Sequence, residues 1–537
     1  MHQRPPAERV SRDNENVRAH RIPNNCGRGT EVSRPQFLKS SHFLRTKPGG
    51  APHPSGAVST MKLLRNFVVL FSGNVVGQLF FFFALARLAR VLGPSDFGTW
   101  NFAQVFMLYL FRGSEFGLET VGIREISRDP GLTSSWIANV VSLRFCLGLF
   151  LFGLALIASL ADLLPQGTTT LVLISSLCIF PMAFLLEWVF EARQEVGLIS
   201  VARILKGVVF CVAVFLLVSS SEDAELAAYL YLGSLTLSVV LVATVVLNRF
   251  GVEWSSLTLR RSLTVLKMAG HIGVASLLSQ YALFASTMVV GYFLSRDELG
   301  YFTAANRIVI FLWAYVILSM NRILLPSLTQ RFHESLSDYR HFVLRIFRFA
   351  VVAAVPIGLV GTLCAADLMR LLYSARYEAS GVVFGILLWA FVLATIRSTL
   401  EIALIASDRQ RRFMRGMVLL SVMYTVLTPI LTLQFGIVGA AVAVVASELS
   451  YFVYLMSSSP YAEPLALLRN LWKPCVAAIV AVGSQLAFTG LDPLLRVGFG
   501  SLVFGAIVVA IKGVTLDDYA VVRSLFRRNR FEPLTRS

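Results

Sequence analysis

Charged residues are scarce in this sequence. Asp, Glu, Lys and Arg make up 15% of its 537 residues, whereas hydrophobic residues make up 56%. A soluble domain carries about 25% charged residues, so a large water-soluble protein is excluded. The apolar residues form many continuous runs of about 20 residues, the helix length that crosses a hydrocarbon core of ~30 Å. The sequence therefore predicts an all-α polytopic membrane protein, and runs without two-residue alternation exclude a membrane β-barrel.

The motifs of common enzymes are also missing. There is no glycine-rich phosphate loop with a lysine, no H-E-x-x-H, no pair of C-x-x-C motifs and no G-x-S-x-G. Five of the six cysteines lie in or at the ends of apolar runs without metal-ligand spacing, so we interpret them as packing residues. The sequence predicts no enzyme, no catalytic residue, no metal site and no bound cofactor.

The net charge of +17 does not indicate a nucleic-acid partner. Lys and Arg lie in short loops between apolar runs and in the two tails, as orientation signals of membrane proteins do. We count fourteen spans, and the loops that follow even-numbered spans hold most of the basic residues. The sequence therefore predicts insertion in the cytoplasmic membrane with both termini in the cytoplasm. No outward loop exceeds about 20 residues, which leaves no room for an independently folded catalytic domain.

The spans divide the chain into two equal groups with additions at both ends. We expect a disordered basic tail before the first group, and Met61 could be the true start because an ordinary membrane-protein N-terminus begins there. The predicted domains are the tail at 1–60, a six-helix bundle at 61–247, a cytoplasmic linker at 248–267, a second six-helix bundle at 268–457, two extra spans at 458–512 and a basic cytoplasmic tail at 513–537.

A short pattern occurs once in each predicted bundle. The first copy is D-F-G-T-W at 96–100 and the second is E-L-G-Y-F at 298–302, and in both an alanine follows three residues later. Each copy opens the second span of a hairpin, and six spans separate the two. An even number of spans gives both units the same orientation, so the bundles are predicted to be related by a pseudo-two-fold axis along the membrane normal.

Several charged residues interrupt the predicted spans. A charge at the bilayer centre costs at least ~2.5 kcal/mol, so these residues normally face a protein or water-filled interior. Arg112, Glu115 and Glu119 share one helical face by their spacing. The candidate substrate-binding cations are Arg112, Arg203, Lys206, Arg307 and Arg397, and the candidate counter-ions or coupling carboxylates are Glu115, Glu187 and Glu401.

The alternative for these residues is a set of structural salt bridges. Arg397 with Glu401 (i, i+4) and Arg112 with Glu115 (i, i+3) have the spacing of helical ion pairs. Arg203 and Lys206 are like charges on one face and cannot pair with each other. They need an anionic partner, either Glu187 or Glu191 of the preceding span or a substrate.

The sequence resembles the polysaccharide-export flippase family of the multidrug/oligosaccharidyl-lipid/polysaccharide exporter superfamily. Two departures accompany the match: Ser286 stands where many members have an aspartate in the seventh span, and Leu433-Gln434 stand where a proline is frequent. The residues that carry the resemblance are A-R-L-A-R-V-L-G-P at 86–94, F-G at 97–98, F-G-L at 116–118, R-E at 124–125, G-Y-F-L at 291–294, L-G-Y at 299–301, A-A-N-R at 304–307, Pro326 and F-G-I-V-G-A-A at 435–441.

The resemblance implies a MATE-like fold of two six-helix bundles around a central cavity, plus two C-terminal helices. It also implies movement of a polyprenyl-pyrophosphate-linked oligosaccharide, such as an O-antigen or exopolysaccharide repeat unit, from the inner to the outer leaflet by alternating access. The expected partners are the bilayer, this lipid-linked glycan and polysaccharide polymerase or export components. A proton gradient and a sodium gradient are alternative driving forces.

Three other functions remain as alternatives. A lipid II flippase shares the fold and the need for cationic residues. A drug/cation antiporter of the same superfamily would favour an acidic, aromatic cavity, whereas the predicted interior is at least as basic as acidic. A membrane polymerase or ligase of glycan chains would need a sizeable outward loop, which the sequence lacks.

Overall fold

The described part of the chain is almost entirely helical. The computed structural model describes residues 55–458 and 493–510, with short helical pieces at 476–477, 479–481 and 483–484. The described residues from Ser59 onward belong to one compact unit. The fifteen helices described below are α1 (Ser55–Glu115), α2 (Leu118–Arg128), α3 (Thr133–Leu160), α4 (Thr169–Ser176), α5 (Ile179–Ala183), α6 (Glu187–Ala192), α7 (Gly197–Leu217), α8 (Ala224–Phe250), α9 (Leu259–Phe293), α10 (Arg296–Glu334), α11 (Leu336–Leu363), α12 (Ala365–Leu372), α13 (Ser380–Ala406), α14 (Gln410–Ser458) and α15 (Pro493–Ala510).

Two of these helices are each made of two segments that meet at a glycine. In α1 the break is Gly93 (φ 76°, ψ 178°), which precedes Pro94, and in α14 it is Gly436 (φ 58°, ψ −142°). A straight helix of the length of α1 would measure about 90 Å, three times a hydrocarbon core. The breaks therefore give four segments of spanning length, at 55–92, 94–115, 410–435 and 437–458.

The described helices account for most of the predicted spans. Within the described ranges, nine stretches are long and apolar enough to cross a membrane, and the stretches containing α1 and α14 each hold a break. The more charged α10 and the short α15 occupy the positions of two further predicted spans. The first of the two extra spans predicted at 458–512 lies largely outside the described residues, as do most of the tails predicted at 1–60 and 513–537.

Glycines bring the first segment of α1 very close to α7. A Cβ on Gly73 would lie 2.4 Å from Ser200 Cβ, and one on Gly77 would lie 2.6 Å from the Arg203 carbonyl oxygen. A Cβ on Gly207 would in turn lie 2.3 Å from the Gly77 oxygen. Small residues four apart let two membrane helices approach backbone to backbone. This crossing fixes the part of α7 that carries Arg203.

Helix α13 is the centre of the second half. It packs against α10, α11 and α14. Within its apolar 18-residue stretch, 78% of the residues are buried inside the protein. A helix that is apolar all round belongs in a core. Charged residues on α13 are therefore removed from both water and lipid, and they must find partners on the helices around it.

The two halves also contact each other directly along the second segment of α1. Near its start, a Cβ on Gly98 would lie 2.6 Å from the Gly300 nitrogen in α10. Just past its end, a Cβ on Gly117 would lie 2.8 Å from the Gly273 nitrogen in α9. Both glycines of the sequence repeat thus meet each other at one end of the molecule.

Candidate functional site

A cluster of charged residues lies in the first half, where one membrane crossing is interrupted and consists of the short helices α4, α5 and α6. Pro181 within α5 has no backbone N–H to donate, which favours an interrupted helix. Glu187 then opens α6 in its first turn, where a carboxylate is favoured by the helix dipole. The interruption places Glu187 beside α7 and its two cations.

Arg203 is neutralised by this cluster. Its Nε and Nη2 atoms donate to Glu187 Oε2 at 2.9 and 2.7 Å. Nη2 also lies 3.7 Å from Glu191 Oε1. The sequence left open whether Arg203 pairs with a protein carboxylate or with a substrate, and the structure places it in an ion pair with Glu187.

Lys206 lies one turn further along α7 and is half-buried. The groups close enough to act electrostatically on its ammonium are Glu187, Arg203 and the Cys178 thiol. Within the described residues, no acceptor lies at hydrogen-bond distance from Lys206, and Glu187 Oε2 already accepts from Arg203. Its ammonium therefore keeps its three donors free for an added anion. A desolvated ammonium needs these donors paired, so an anion that bound here would be stabilised.

A second cluster lies around the turn between α1 and α2, close to α6, because Arg144 Nη1 donates to the Leu185 carbonyl at 3.2 Å. Glu119 forms an ion pair with Arg144 at 2.6 Å, and Arg144 is fully buried. Glu115 is 3% exposed and accepts from the Glu119 backbone N–H at 3.2 Å, which caps α2. Arg112 lies 3.8 Å from Glu115 with 41% of its side chain exposed. The charged stripe read from the sequence is thus mainly a helix cap and an ion pair.

Arg307 lies on α10 and reaches across to the first half. Its Nε donates to Asn101 Oδ1 in the second segment of α1 at 2.8 Å. Tyr231 and Tyr373 are the titratable groups near it. Among described residues, no carboxylate forms an ion pair with Arg307, so this half-buried cation is held by a neutral amide.

Arg397 sits within a buried group in the second half. Its Nε donates to Glu448 Oε2 at 2.5 Å, and Nη1 donates to Glu401 Oε1 at 2.5 Å. Tyr424 donates to Glu448 at 3.2 Å, and the Arg397 guanidinium lies 4.8 Å from the Tyr451 ring centroid. Arg397 is therefore enclosed by two carboxylates, one of which is the predicted partner Glu401.

The structure brings together some of the predicted residues and separates others. Arg203, Lys206 and Glu187 form one cluster, Arg112 and Glu115 lie at the α1–α2 turn, and Arg397 with Glu401 lies in the second half. Sequence reasoning missed Arg144 and Glu448. The signal for both was a single charge inside an otherwise apolar run, in L-R-F at 143–145 and S-E-L at 447–449.

Metal-binding groups are absent from the described ranges, where no three His, Cys, Asp or Glu side chains converge. The four cysteines among the described residues form no disulfide. The chemistry that the charged clusters can provide is thus electrostatic recognition of an anion and control of helix packing.

The chain is similar to known proteins of glycan biosynthesis. Residues 63–332 match the model of the polysaccharide biosynthesis protein family. The chain is 22% identical over 462 residues to a protein from Haloferax volcanii named as a probable low-salt glycan biosynthesis flippase, Agl15, covering 83% of this chain and 95% of that protein. It is also 22% identical over 261 residues to a candidate O-antigen transporter of Escherichia coli K12, covering 46% of this chain and 60% of the relative.

Solved structures show the same fold. A lipid II flippase, MurJ, in an inward closed conformation superposes with a TM-score of 0.68 at 13% identity, over 84% of this chain and 99% of MurJ. An inward-facing multidrug transporter of the MATE family gives a TM-score of 0.58 at 15% identity, over 75% of this chain and 99% of the transporter. These proteins are flippases and transporters rather than enzymes, in agreement with the prediction from sequence. The predicted MATE-like fold and the family resemblance are confirmed: the chain belongs to the polysaccharide biosynthesis protein family and is a multi-pass, all-α membrane protein.

Proposed function

We propose that this protein flips a polyprenyl-pyrophosphate-linked oligosaccharide, such as an O-antigen or exopolysaccharide repeat unit, from the inner to the outer leaflet of the cytoplasmic membrane. Family membership and the glycan flippase among the relatives support this substrate class. The observation that carries the proposal is the Lys206 ammonium, which has no hydrogen-bond acceptor among the described residues although it lies in a membrane-spanning helix.

The chemistry of the substrate explains the need for such a group. A pyrophosphate must cross a medium in which an unpaired charge is very costly. Its lipid tail can stay in the bilayer throughout, so the protein has to neutralise the charged linkage and enclose the sugars. Lys206 is the proposed first contact for the pyrophosphate, with Arg203 beside it held in place by Glu187.

The other predicted cations receive different roles in this proposal. Arg307 has no carboxylate partner among the described residues and is the second proposed phosphate contact. Arg397 is balanced by Glu401 and Glu448, so its proposed role is to hold α13 against α14. Arg112, partly exposed and weakly paired, remains a candidate for contacts with the sugars.

Alternating access and ion coupling are further parts of the proposal. The two halves are the proposed moving bodies, because the predicted linker at 248–267 is the covalent connection between them. A proton or sodium gradient is the proposed energy source. The candidate coupling carboxylates Glu115, Glu187 and Glu401 each have a partner in the structure. The proposed orientation has both termini in the cytoplasm, and polymerase or export components would act on the flipped product.

A lipid II flippase is the second candidate, favoured by the superposition on MurJ. Lipid II has the same pyrophosphate linkage, and its flippase would use the same cations. The two candidate functions therefore differ in the sugars of the substrate. A drug/cation antiporter is less compatible, because a free lysine ammonium repels a cationic substrate.

The test is accumulation of lipid-linked repeat units in a strain that lacks the gene. Restoring the wild-type gene should clear the accumulated intermediate, whereas Lys206→Ala at equal membrane abundance should leave it in place. Lys206→Arg should retain part of the activity, since it keeps the charge. Lys267→Ala, at an exposed lysine at the start of α9, is the matched control and should clear it fully. Full clearance by Lys206→Ala contradicts the proposed site, and absence of any accumulated lipid-linked glycan contradicts the substrate class.

A further inference from the structure

A cavity of about 510 Å³ lies where the loop between α3 and α4 meets the turn between α9 and α10. The loop belongs to the first half and the turn to the second, so each half supplies one wall. The positive-inside pattern predicts that this end of the molecule faces outward. The volume lies within the range of small-molecule sites, ~300–1,000 Å³. None of the residues that line this cavity belongs to the charged clusters described above.

The wall from the second half is aromatic. Tyr292 and Phe293, the last two residues of α9, line the cavity and are each 50% exposed. The buried Phe102 ring packs against the Tyr292 ring at an angle of 74°, with the ring centroids 5.8 Å apart. A Cβ on Gly291 would lie 2.4 Å from Phe102 Cδ2, so Phe102 fills the space beside Gly291. The Tyr292 ring is therefore supported from inside the protein while half of its surface stays open.

Arg296, at the start of α10, joins the two walls. Its Nε donates to the Gln166 carbonyl oxygen at 3.1 Å. Gly167 follows with φ 71°, and a Cβ there would lie 1.3 Å from Arg296 Nη2. The guanidinium thus occupies space that only a glycine leaves open. Asp96 interacts electrostatically with this guanidinium, so Arg296 is a fixed donor whose charge is partly balanced.

The wall from the first half carries two exposed planar polar groups, the Asp162 carboxylate and the Gln166 side-chain amide. Among the described residues, neither group has a hydrogen-bond partner. A carboxylate accepts hydrogen bonds, an amide both donates and accepts, and a guanidinium donates. Asp162 and Arg296 are the two charged residues of the lining. One acid and one base favour a neutral ligand with many hydroxyl groups over a phosphate or a cation.

Sugars have the chemistry that this lining matches. A sugar ring presents hydroxyl groups at its edge, which donate and accept hydrogen bonds, and C–H groups on its faces, which pack on aromatic rings. We propose that this cavity is an outer sugar site, which binds sugar residues of the transported oligosaccharide after they reach the outer side. Tyr292 provides the stacking surface, and Asp162, Gln166 and Arg296 provide the hydrogen bonds. The inference rests on the proposed function and assigns the sugars a site separate from the pyrophosphate contact at Lys206.

The test is binding of the oligosaccharide without its lipid to the purified full-length protein in detergent. The probe is the oligosaccharide that mild acid releases from the lipid-linked glycans of the source organism's membranes. A titration followed by saturation-transfer NMR gives the dissociation constant. The wild-type protein should bind the probe, and Tyr292→Ala should weaken binding about tenfold through loss of the stacking surface. Asp162→Asn removes a charged acceptor and should weaken binding by a similar factor.

Two matched variants serve as controls. Tyr229 near the start of α8 is 51% exposed and does not line the cavity, so Tyr229→Ala should bind as wild type does. Asp408 is exposed and has φ 57°, close to the φ 51° of Asp162, so Asp408→Asn should also be neutral. Exposed tyrosines are common at membrane interfaces. Equal weakening by Tyr229→Ala and Tyr292→Ala would assign both to that general role and overturn the proposal, as would a wild-type protein that does not bind the probe.

A second ligand separates this inference from the proposed function. Polyprenyl pyrophosphate carries no sugar, so Tyr292→Ala should bind it as tightly as wild type does. A wild-type protein that binds polyprenyl pyrophosphate but not the oligosaccharide overturns the outer sugar site alone. Failure of the proposed function would instead appear as the absence of accumulated lipid-linked glycan in the deletion strain.

Discussion

Gly98 and Gly300, separated by 202 residues in the sequence, pack so closely that a Cβ on Gly98 would lie 2.6 Å from the Gly300 nitrogen. They occupy equivalent positions in the two copies of the short repeat. A residue on a pseudo-two-fold axis meets its own counterpart, so this contact is where the axis is expected to pass. The repeat therefore marks the position at which the two bundles meet.

The crossing of α1 and α7 should depend on Gly77. Adding a methyl group there forces the helices apart, since the obstacle is the Arg203 carbonyl oxygen at 2.6 Å. Gly77→Ala should lower the free energy of unfolding by about 1–3 kcal/mol, the usual cost of overpacking. Thermal unfolding in detergent measures it. Gly153→Ala has the same change in an open position and should be neutral, and equal melting temperatures for both variants would show that the crossing is not tightly packed.

The Arg144–Glu119 ion pair should be a strong determinant of stability. Arg144 is fully buried, and removing one member of a buried pair leaves the other charge uncompensated at a cost of about 3–5 kcal/mol. Arg144→Met should therefore reduce the amount of folded protein that fluorescence-detected chromatography recovers after heating.

Two further variants make this prediction specific. Adding Glu119→Gln to Arg144→Met should recover much of the loss, because no unpaired charge remains. Arg124→Ala removes an exposed partner of Glu125 and should change stability by less than about 1 kcal/mol. If the double variant is no more stable than Arg144→Met, electrostatic pairing is not the reason for the loss.

The Arg397 group should act in folding rather than in substrate contact. Arg397→Met leaves Glu401 and Glu448 facing each other in the interior, so folded yield should fall strongly. The triple variant Arg397→Met, Glu401→Gln, Glu448→Gln removes all three charges and should restore much of that yield. Transport per folded molecule is the deciding measurement. A triple variant that folds normally and transports nothing would show that Arg397 acts in transport and not only in folding.

The sequence was sufficient to predict the helical class and the Arg203–Lys206 pair on one helical face. These features depend on composition and on spacing within one helix. The partners of Arg144 and Glu448 depend on which helices become neighbours, and nothing local in the sequence specifies this. The Gly117–Gly273 contact was missed for the same reason, since the two glycines share no motif.

The most direct measurement of the proposed function is equilibrium binding of a polyprenyl pyrophosphate to purified protein in detergent. A charge-assisted hydrogen bond contributes about 1.5–3 kcal/mol, so Lys206→Ala should weaken binding by about tenfold or more. Lys206→Arg should bind within a few-fold of wild type, and Lys267→Ala should not differ from it. A folded Lys206→Ala protein that binds the pyrophosphate as tightly as wild type would contradict the assignment of Lys206 as the anion contact.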